Sequence, residues 1–337
     1  MDIRILAGLL SVAFTASNDA LGERQRIDVE AYGASLDIVI SQPVSDEKTA
    51  ELVDWIRTTA GNVSLAYGRF PIPASTVVIV PGKSSPWSSD RAVPYGRVTR
   101  RGGETVELFV NVDRPIDEFY DDWTATHEFS HLLLPPVYWR QRWISEGFAS
   151  YYQNVLLARA GQYTQSRAWQ RLAEGFERGR ASRPELSPNQ AGAGDTNDAR
   201  MKIYWSGAAL ALLADVELRE RSGGRESLDR VLEALEQCCL PASRRWSGTE
   251  LFRKLDTFLE TPVFMPLYRR YADAPGFPDV GPALEKLGVR RVNGEIRLVE
   301  DAELAAVREA ISCRRLVGLP AALGQCEELQ LAKFTFE

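Results

Sequence analysis

Histidine is almost absent from this chain: its 337 residues include two, His127 and His131. Any chemistry that needs imidazole is confined to that one place. Cysteine is scarce too, and none of Cys238, Cys239, Cys313 and Cys326 has C-x-x-C spacing, which argues against a cysteine zinc site. A long basic stripe is lacking and the net charge is −6, so nucleic acid is not expected as a partner. The short runs Arg100-Arg101 and Arg314-Arg315 read as solvated faces. There is no internal repeat and no low-complexity tract.

What is present is an ordinary balance of apolar and charged residues, over a length that can bury a sizeable core and divide into two subdomains. Residues 1–16 hold an apolar run of about a dozen residues behind Arg4, too short to span a bilayer and of the size of a signal-peptide core. Residues 1–20 are therefore expected to be a signal peptide cut between Ala16 and Ala20, with the mature chain exported to a periplasm or secreted and free of membrane spans. The alternative is a buried first strand or helix. In an oxidising compartment the four cysteines allow three connectivities. The expected one joins Cys313 to Cys326 and leaves Cys238 and Cys239 free or bonded to each other.

Alternation predicts a strand over 27–42, helical spacing through Leu52, Val53, Ile56 and Val63 predicts a helix over 46–67, and 75–80 is a strand closed by Pro81-Gly82. A Ser- and Pro-rich loop follows at 83–90, then a hairpin of 93–99 and 105–112 around Gly102-Gly103. The next helix runs over 117–134 to Pro135-Pro136, and another spans 145–160 to a stop at Gly161, with Glu146 in its first turn. Residues 180–198 read as an irregular loop over the site, and 198–221 as a long helix with a small-residue face of Gly207, Ala208 and Ala211. Helices at 227–239 and 249–260, the latter behind a Ser247-x-x-Glu250 capping box, precede a hairpin over 289–299 turning on Asn293-Gly294 and a last helix at 301–312.

Both histidines belong to His127-Glu128-Phe129-Ser130-His131, an H-E-x-x-H pattern. On a helix the two imidazoles share one face and Glu128 borders it, so one metal ion and a carboxylate-held water fit together there. The bland alternative is an amphipathic helix with two exposed histidines. Glu146 offers a third ligand, and its own bland alternative is a favourable charge at a helix N-terminus.

Taken in order, HEFSH, WISEGFASYY and IYWSGAALALLADVELRERSGGRESLDRVL resemble the gluzincin metallopeptidases. The resemblance is closest to the glycyl aminopeptidase family, whose members carry a PDZ domain, and more distant to the aminopeptidase N family; it covers roughly residues 90–290. It implies an α+β, thermolysin-like fold: a small mixed-sheet subdomain at 21–115, a mostly helical zinc-site subdomain at 116–280 with the zinc in the cleft between them, and a hairpin-and-helix tail at 281–337. It implies one Zn2+ held by His127, His131 and Glu146, with Glu128 as general base, Tyr204 as oxyanion donor, and a peptide or protein as substrate. The spacer between His131 and Glu146 is shorter than those families usually show, and Ser206 stands where a lysine often precedes the glycine of the tyrosine motif.

In these families an exposed strand ahead of H-E-x-x-H pairs with extended substrate, a form of β-addition. The aminopeptidase N family marks that strand with a Gly-x-Met-Glu-Asn-type motif whose glutamate helps bind the free amino terminus. Here Tyr95, Gly96 and Arg97 are expected to meet substrate, in a run Val93-Pro94-Tyr95-Gly96-Arg97-Val98 that holds no acid and one cation. The expectation is a zinc peptidase that prefers blocked or internal bonds. Its rivals are an aminopeptidase of the glycyl type and a non-catalytic, peptide-binding relic of the fold.

Overall fold

Where alternation predicts one strand over 27–42, the chain makes a hairpin, β1 (Gln25–Ala31) and β2 (Ala34–Ile40). It reverses at Tyr32 and Gly33, whose φ of 52° and 83° give a two-residue turn with the twist antiparallel strands need. A tyrosine stands where Asn or Asp would announce such a turn, which hides it from the sequence. The structure, a computed structural model, describes residues 24–82, 90–194 and 197–315. The expected signal segment, most of the 83–90 loop and Cys326 lie outside those residues.

Ser45 caps α1 (Asp46–Ser64) by accepting from the Lys48 N–H, and the chain then enters β3 (Ala74–Pro81). The glycine hairpin follows as β4 (Tyr95–Thr99) and β5 (Thr105–Val110). In the sheet order β1-β2-β3-β5-β4, the central β2, β3 and β5 are parallel, while β1 and β4 pair antiparallel at the two sides. The mixed sheet is thus as expected, and β4 is an edge. Ile38, Val77 and Leu108 from the sheet join Leu52, Trp55 and Ile56 of α1 in one core that continues into the helical half.

The helix predicted over 117–134 is broken. After α2 (Ile116–Asp121) the backbone of Asp122 is extended, and its carboxylate accepts from the Thr124 N–H (2.8 Å) and pairs with Arg91 (2.8 Å). An aspartate that bonds its own backbone two residues on competes with helix continuation. The chain restarts as α3 (Thr124–Ser130) and tightens into a 3-10 turn, His131–Leu133. Next comes α4 (Arg142–Arg159), which starts earlier than expected, behind a second 3-10 turn at Trp139–Gln141. Glu146 therefore sits in the second turn, beyond the reach of a helix-end explanation for its charge.

Helix α5 (Gln165–Ala181) leads to a short α6 (Pro188–Ala193), held by a reciprocal cap between Ser187 and Gln190, where an irregular loop is predicted. The long α7 (Arg200–Ser222) stops at left-handed Gly223, and α8 (Leu228–Cys239) and α9 (Gly248–Asp256) are capped by Ser227 and Ser247. Only half of the expected box at Ser247 forms, because the Glu250 carboxylate is taken by Arg244. Then follow α10 (Phe264–Tyr271), α11 (Gly281–Lys286), the predicted Asn293-Gly294 hairpin of β6 (Val289–Val292) and β7 (Glu295–Leu298), and α12 (Ala305–Ser312). Cys238 and Cys239 are bonded to each other. Among the described residues no helix is long and apolar enough to cross a membrane.

Two packing features hold the helical half together. At the crossing of α4 and α7, a Cβ on Gly147 would lie 2.2 Å from the Gly207 Cα, and one on Gly207 would lie 2.1 Å from the Trp143 carbonyl oxygen. Deeper in, Asp229 accepts from Arg159 (2.9 Å), Arg219 (3.3 Å), Arg315 (3.2 Å) and the Tyr152 hydroxyl (3.0 Å). Arg315 is thus no solvated face. Burial works to raise the Asp229 pKa, but Arg159, Arg315 and Arg219 prevail and hold it well below the usual carboxylate range.

Gly207→Ala should lower stability by about 1–3 kcal/mol through overpacking, read as a shifted urea midpoint; an unchanged midpoint would show a looser crossing. Asp229→Ala should cost about 3–5 kcal/mol, since it strands buried guanidinium groups. Because the folded pKa of Asp229 is depressed, its contribution is complete above the unfolded value of about 4 and is lost as pH falls from there toward the folded value. The variant should therefore lack that acid-side slope in a stability-versus-pH series.

Candidate metal centre

Despite the break before α3, His127 and His131 remain one turn apart and point into one cleft. They are 2% and 9% exposed, so the reading as an exposed pair on an amphipathic helix fails. Each ring is held from behind by α4: His127 Nδ1 lies 2.7 Å from Gln153 Oε1, and His131 Nδ1 lies 2.9 Å from Ser145 Oγ. An amide oxygen only accepts, so His127 carries its proton on Nδ1 and turns the Nε2 lone pair toward the cleft.

Both Nε2 atoms face Glu146, whose Oε2 is 3.3 Å from that of His127 and 3.6 Å from that of His131. Glu128 Oε2 is farther, 4.0 Å from His131 Nε2. Ligand atoms of His127, Glu128 and His131 also fall within 4.8 Å of one another, so distance alone admits either carboxylate to a metal cluster. Glu146 is the nearer to the histidines, and Glu128 leans instead on β4, where a Cβ at Gly96 would come within 2.5 Å of its Cγ. Two imidazole nitrogens and a carboxylate oxygen converging from α3 and α4 suit a zinc ion with a further position left to water.

The electrostatics fit a site made for a cation. Burial lifts the Glu128 pKa to about 7, with His127 pulling it down and Glu146 pushing it up. Burial likewise drives His131 down to about 4, against the pull of Glu146. His127 moves the other way: burial opposes its charge, but the bond to Glu146 and the nearby Glu128 outweigh it and raise its pKa. A positive charge is thus favoured between His127 and Glu146. The Tyr204 ring stacks on His127 with centroids 5.7 Å apart and planes at 25°, and the charge of Glu146, then burial and Glu128, keep its phenol protonated far above its usual range.

A cleft of about 990 Å³ opens over these groups, walled by β4, the start of α4, Tyr204 and residues 242–245. Tyr95, Gly96 and Arg97 line it, whereas none of the described residues of 180–198 does. Arg97 differs from the expectation in one respect: it pairs with Glu107 (2.6 Å), its register partner on β5, so its charge is matched. No motif marks Ser145 and Gln153, one before Glu146 and two turns after it, or Arg100, which donates to the carbonyls of His131 (2.8 Å) and Leu134 (3.1 Å). The helical spacing of Gln153 from Glu146 was a usable signal; the reach of Arg100 across the fold was not.

Residues 133–208 match the model of the M61 glycyl aminopeptidase family, a span that includes Glu146 and Tyr204. Among solved structures, the chain is similar to an aminopeptidase N family protein from Idiomarina loihiensis, at TM-score 0.59 and 17% identity over 80% of this chain and 50% of that one. It is also similar to native yeast LTA4 hydrolase, at TM-score 0.53 and 13% identity over 75% of this chain and 40% of that one. The gluzincin resemblance holds. The mixed α+β fold is the one these two structures share, and this chain spans half or less of their length. No curated protein sequence matches it.

Gln153→Leu should weaken metal binding by about 10–100-fold, because the His127 ring loses its orienting partner. Competition against a chelator measures this, and an unchanged affinity would remove Gln153 from the site.

Proposed function

We propose that the protein is a zinc-dependent peptidase in which His127, His131 and Glu146 hold one Zn2+. The observation that carries this reading is the convergence of two buried Nε2 atoms on the Glu146 carboxylate, with each Nδ1 already engaged. A metal-free, peptide-binding relic has no need of rings oriented in this way.

A zinc ion bound there supplies Lewis-acid chemistry, polarising the scissile carbonyl and acidifying water. Glu128 takes the proton from the attacking water and delivers it to the leaving amine. A carboxylate lifted toward neutrality by burial can move a proton in both directions. Tyr204, kept protonated and fixed against His127, donates a hydrogen bond to the oxyanion that forms on the substrate. The substrate lies extended along the free edge of β4, where the absence of a side chain at Gly96 lets it approach Glu128.

The family match favours an aminopeptidase as a second reading. Against it, Glu128 and Glu146 are the only carboxylates among the described residues that line the cleft, and both are committed to the metal and the proton. We therefore favour cleavage of blocked or internal bonds, since among the described residues the lining holds no free carboxylate for an amino terminus and the Arg97 charge is matched by Glu107.

His131→Ala should lose zinc, and full retention of the metal would defeat the ligand assignment. Glu128→Gln should retain zinc and lose about 100- to 10,000-fold in turnover, so near-normal turnover would reject its role. Matched peptides with free and N-acetylated termini decide between the two peptidase readings: cleavage of the free forms alone restores the aminopeptidase.

A further inference from the structure

The cleft of this net-acidic protein is lined by six arginines, at 97, 100, 101, 142, 244 and 245, against the two site carboxylates. Several of these cations already have partners. Arg97 is paired with Glu107, Arg100 with Glu104, and Arg244 with Glu250, while Arg142 donates to the carbonyls of Gly192 and Gly194 and lies over the Trp139 ring. Arg101 and Arg245 are different: both are exposed on the cleft wall, and among the described residues neither has a carboxylate partner. They approach from opposite sides. Arg101 follows β4 into the hairpin turn, and Arg245 belongs to the segment after α8 that the backbone ties to residues 136–138, through Trp246 N–H to the Pro136 carbonyl (2.8 Å) and Tyr138 N–H to the Trp246 carbonyl (3.0 Å).

The two sides meet at residues 134–136: Arg100, next to Arg101, donates to the Leu134 carbonyl (3.1 Å), and the Pro136 carbonyl accepts from Trp246, next to Arg245. Arginines brought to one end of a cleft from both walls are an unfavourable arrangement unless an anion joins them. Arg100 spends its donors on the backbone of His131 and Leu134, so the exposed pair is what remains to receive an anion.

We propose that Arg101 and Arg245 form an anion subsite that selects peptides bearing a carboxylate several residues from the cleaved bond. The proposal rests on the peptidase reading for the position of that bond. Gly96 lies against Glu128, and the step from Gly96 to Arg101 along an extended chain is on the order of 16 Å, so the carboxylate belongs about three to five residues away. It can come from an Asp or Glu side chain or from the substrate's own C-terminus, since a guanidinium fork recognises both alike.

The test uses binding to zinc-loaded Glu128→Gln protein, so that it does not depend on turnover. Fluorescently labelled, N-acetylated peptides carry a single Glu walked through the sequence in a Gln background, each with a free and an amidated C-terminus. At low salt a Glu or a free C-terminus at the favoured distance should tighten binding about tenfold, and the gain should shrink in 0.5 M salt as screening sets in. A gain from the walked Glu in amidated peptides identifies the side chain as the source, and a gain on freeing the C-terminus identifies the chain end. Introducing Arg101→Gln together with Arg245→Gln should bring the acidic and neutral peptides to within about twofold of each other, while Lys at both positions keeps the charge without the fork and so a smaller, salt-sensitive difference. Equal binding of acidic and neutral peptides, or a difference that survives the double Gln variant, overturns the proposal. Wild-type cleavage of the same peptides is scored separately: failure to cut any of them defeats the peptidase reading and leaves the binding difference to judge the subsite.

Discussion

The close crossing of α4 and α7 is the constraint on which the site depends. Gly147 and Gly207 let the two backbones touch, and side chains on each helix are thereby brought within reach of α3. Glu146, immediately before Gly147, reaches both imidazoles, and Tyr204, one turn before Gly207, lies flat on His127. Ser145 and Gln153 come from the same helix as Glu146, so one element supplies both the carboxylate and the groups that orient the two imidazoles. A rigid helix fixes those three relations together more accurately than a loop would.

The sheet contributes the other wall. β4 is an edge strand, which proteins usually protect because unpaired backbone groups invite another chain. Here the edge faces the cleft beside Glu128, and Gly96 removes the side chain that would otherwise collide with it. Arg100 fastens the far end of this strand to the carbonyls of His131 and Leu134, coupling the position of the hairpin to that of His131. The cations along the wall make the cleft differ in sign from the protein's net charge, a difference that governs partners over roughly a Debye length.

Much of this was legible locally. The H-E-x-x-H spacing, the Ser247 cap, the Asn293-Gly294 turn and the small-residue face of α7 are short-range patterns with short-range causes, and the structure contains each of them. The failures share a different origin. Asp122 breaks the helix before His127 by accepting from the Thr124 N–H, a turn that Arg91, distant in sequence, holds in place; Tyr32 occupies a turn position for which its residue type gives no warning; Arg97 loses its free charge to Glu107 across the hairpin. In each case a partner or a backbone conformation, not a residue's own propensity, decided the outcome.

By itself the sequence determined where imidazole chemistry can occur, since two histidines one helical turn apart leave no other place for it, and it determined the order of the elements that surround them. Tertiary structure decided which nitrogen of each histidine faces the cleft, which of two carboxylates stands nearer to both rings, and which of the cleft's arginines pair with carboxylates among the described residues. Those are matters of distance between residues as far apart as 101 and 245, brought to one cleft by packing that no local pattern encodes. Coulomb and hydrogen-bond energies depend on such distances and on burial, and neither exists until the chain has folded.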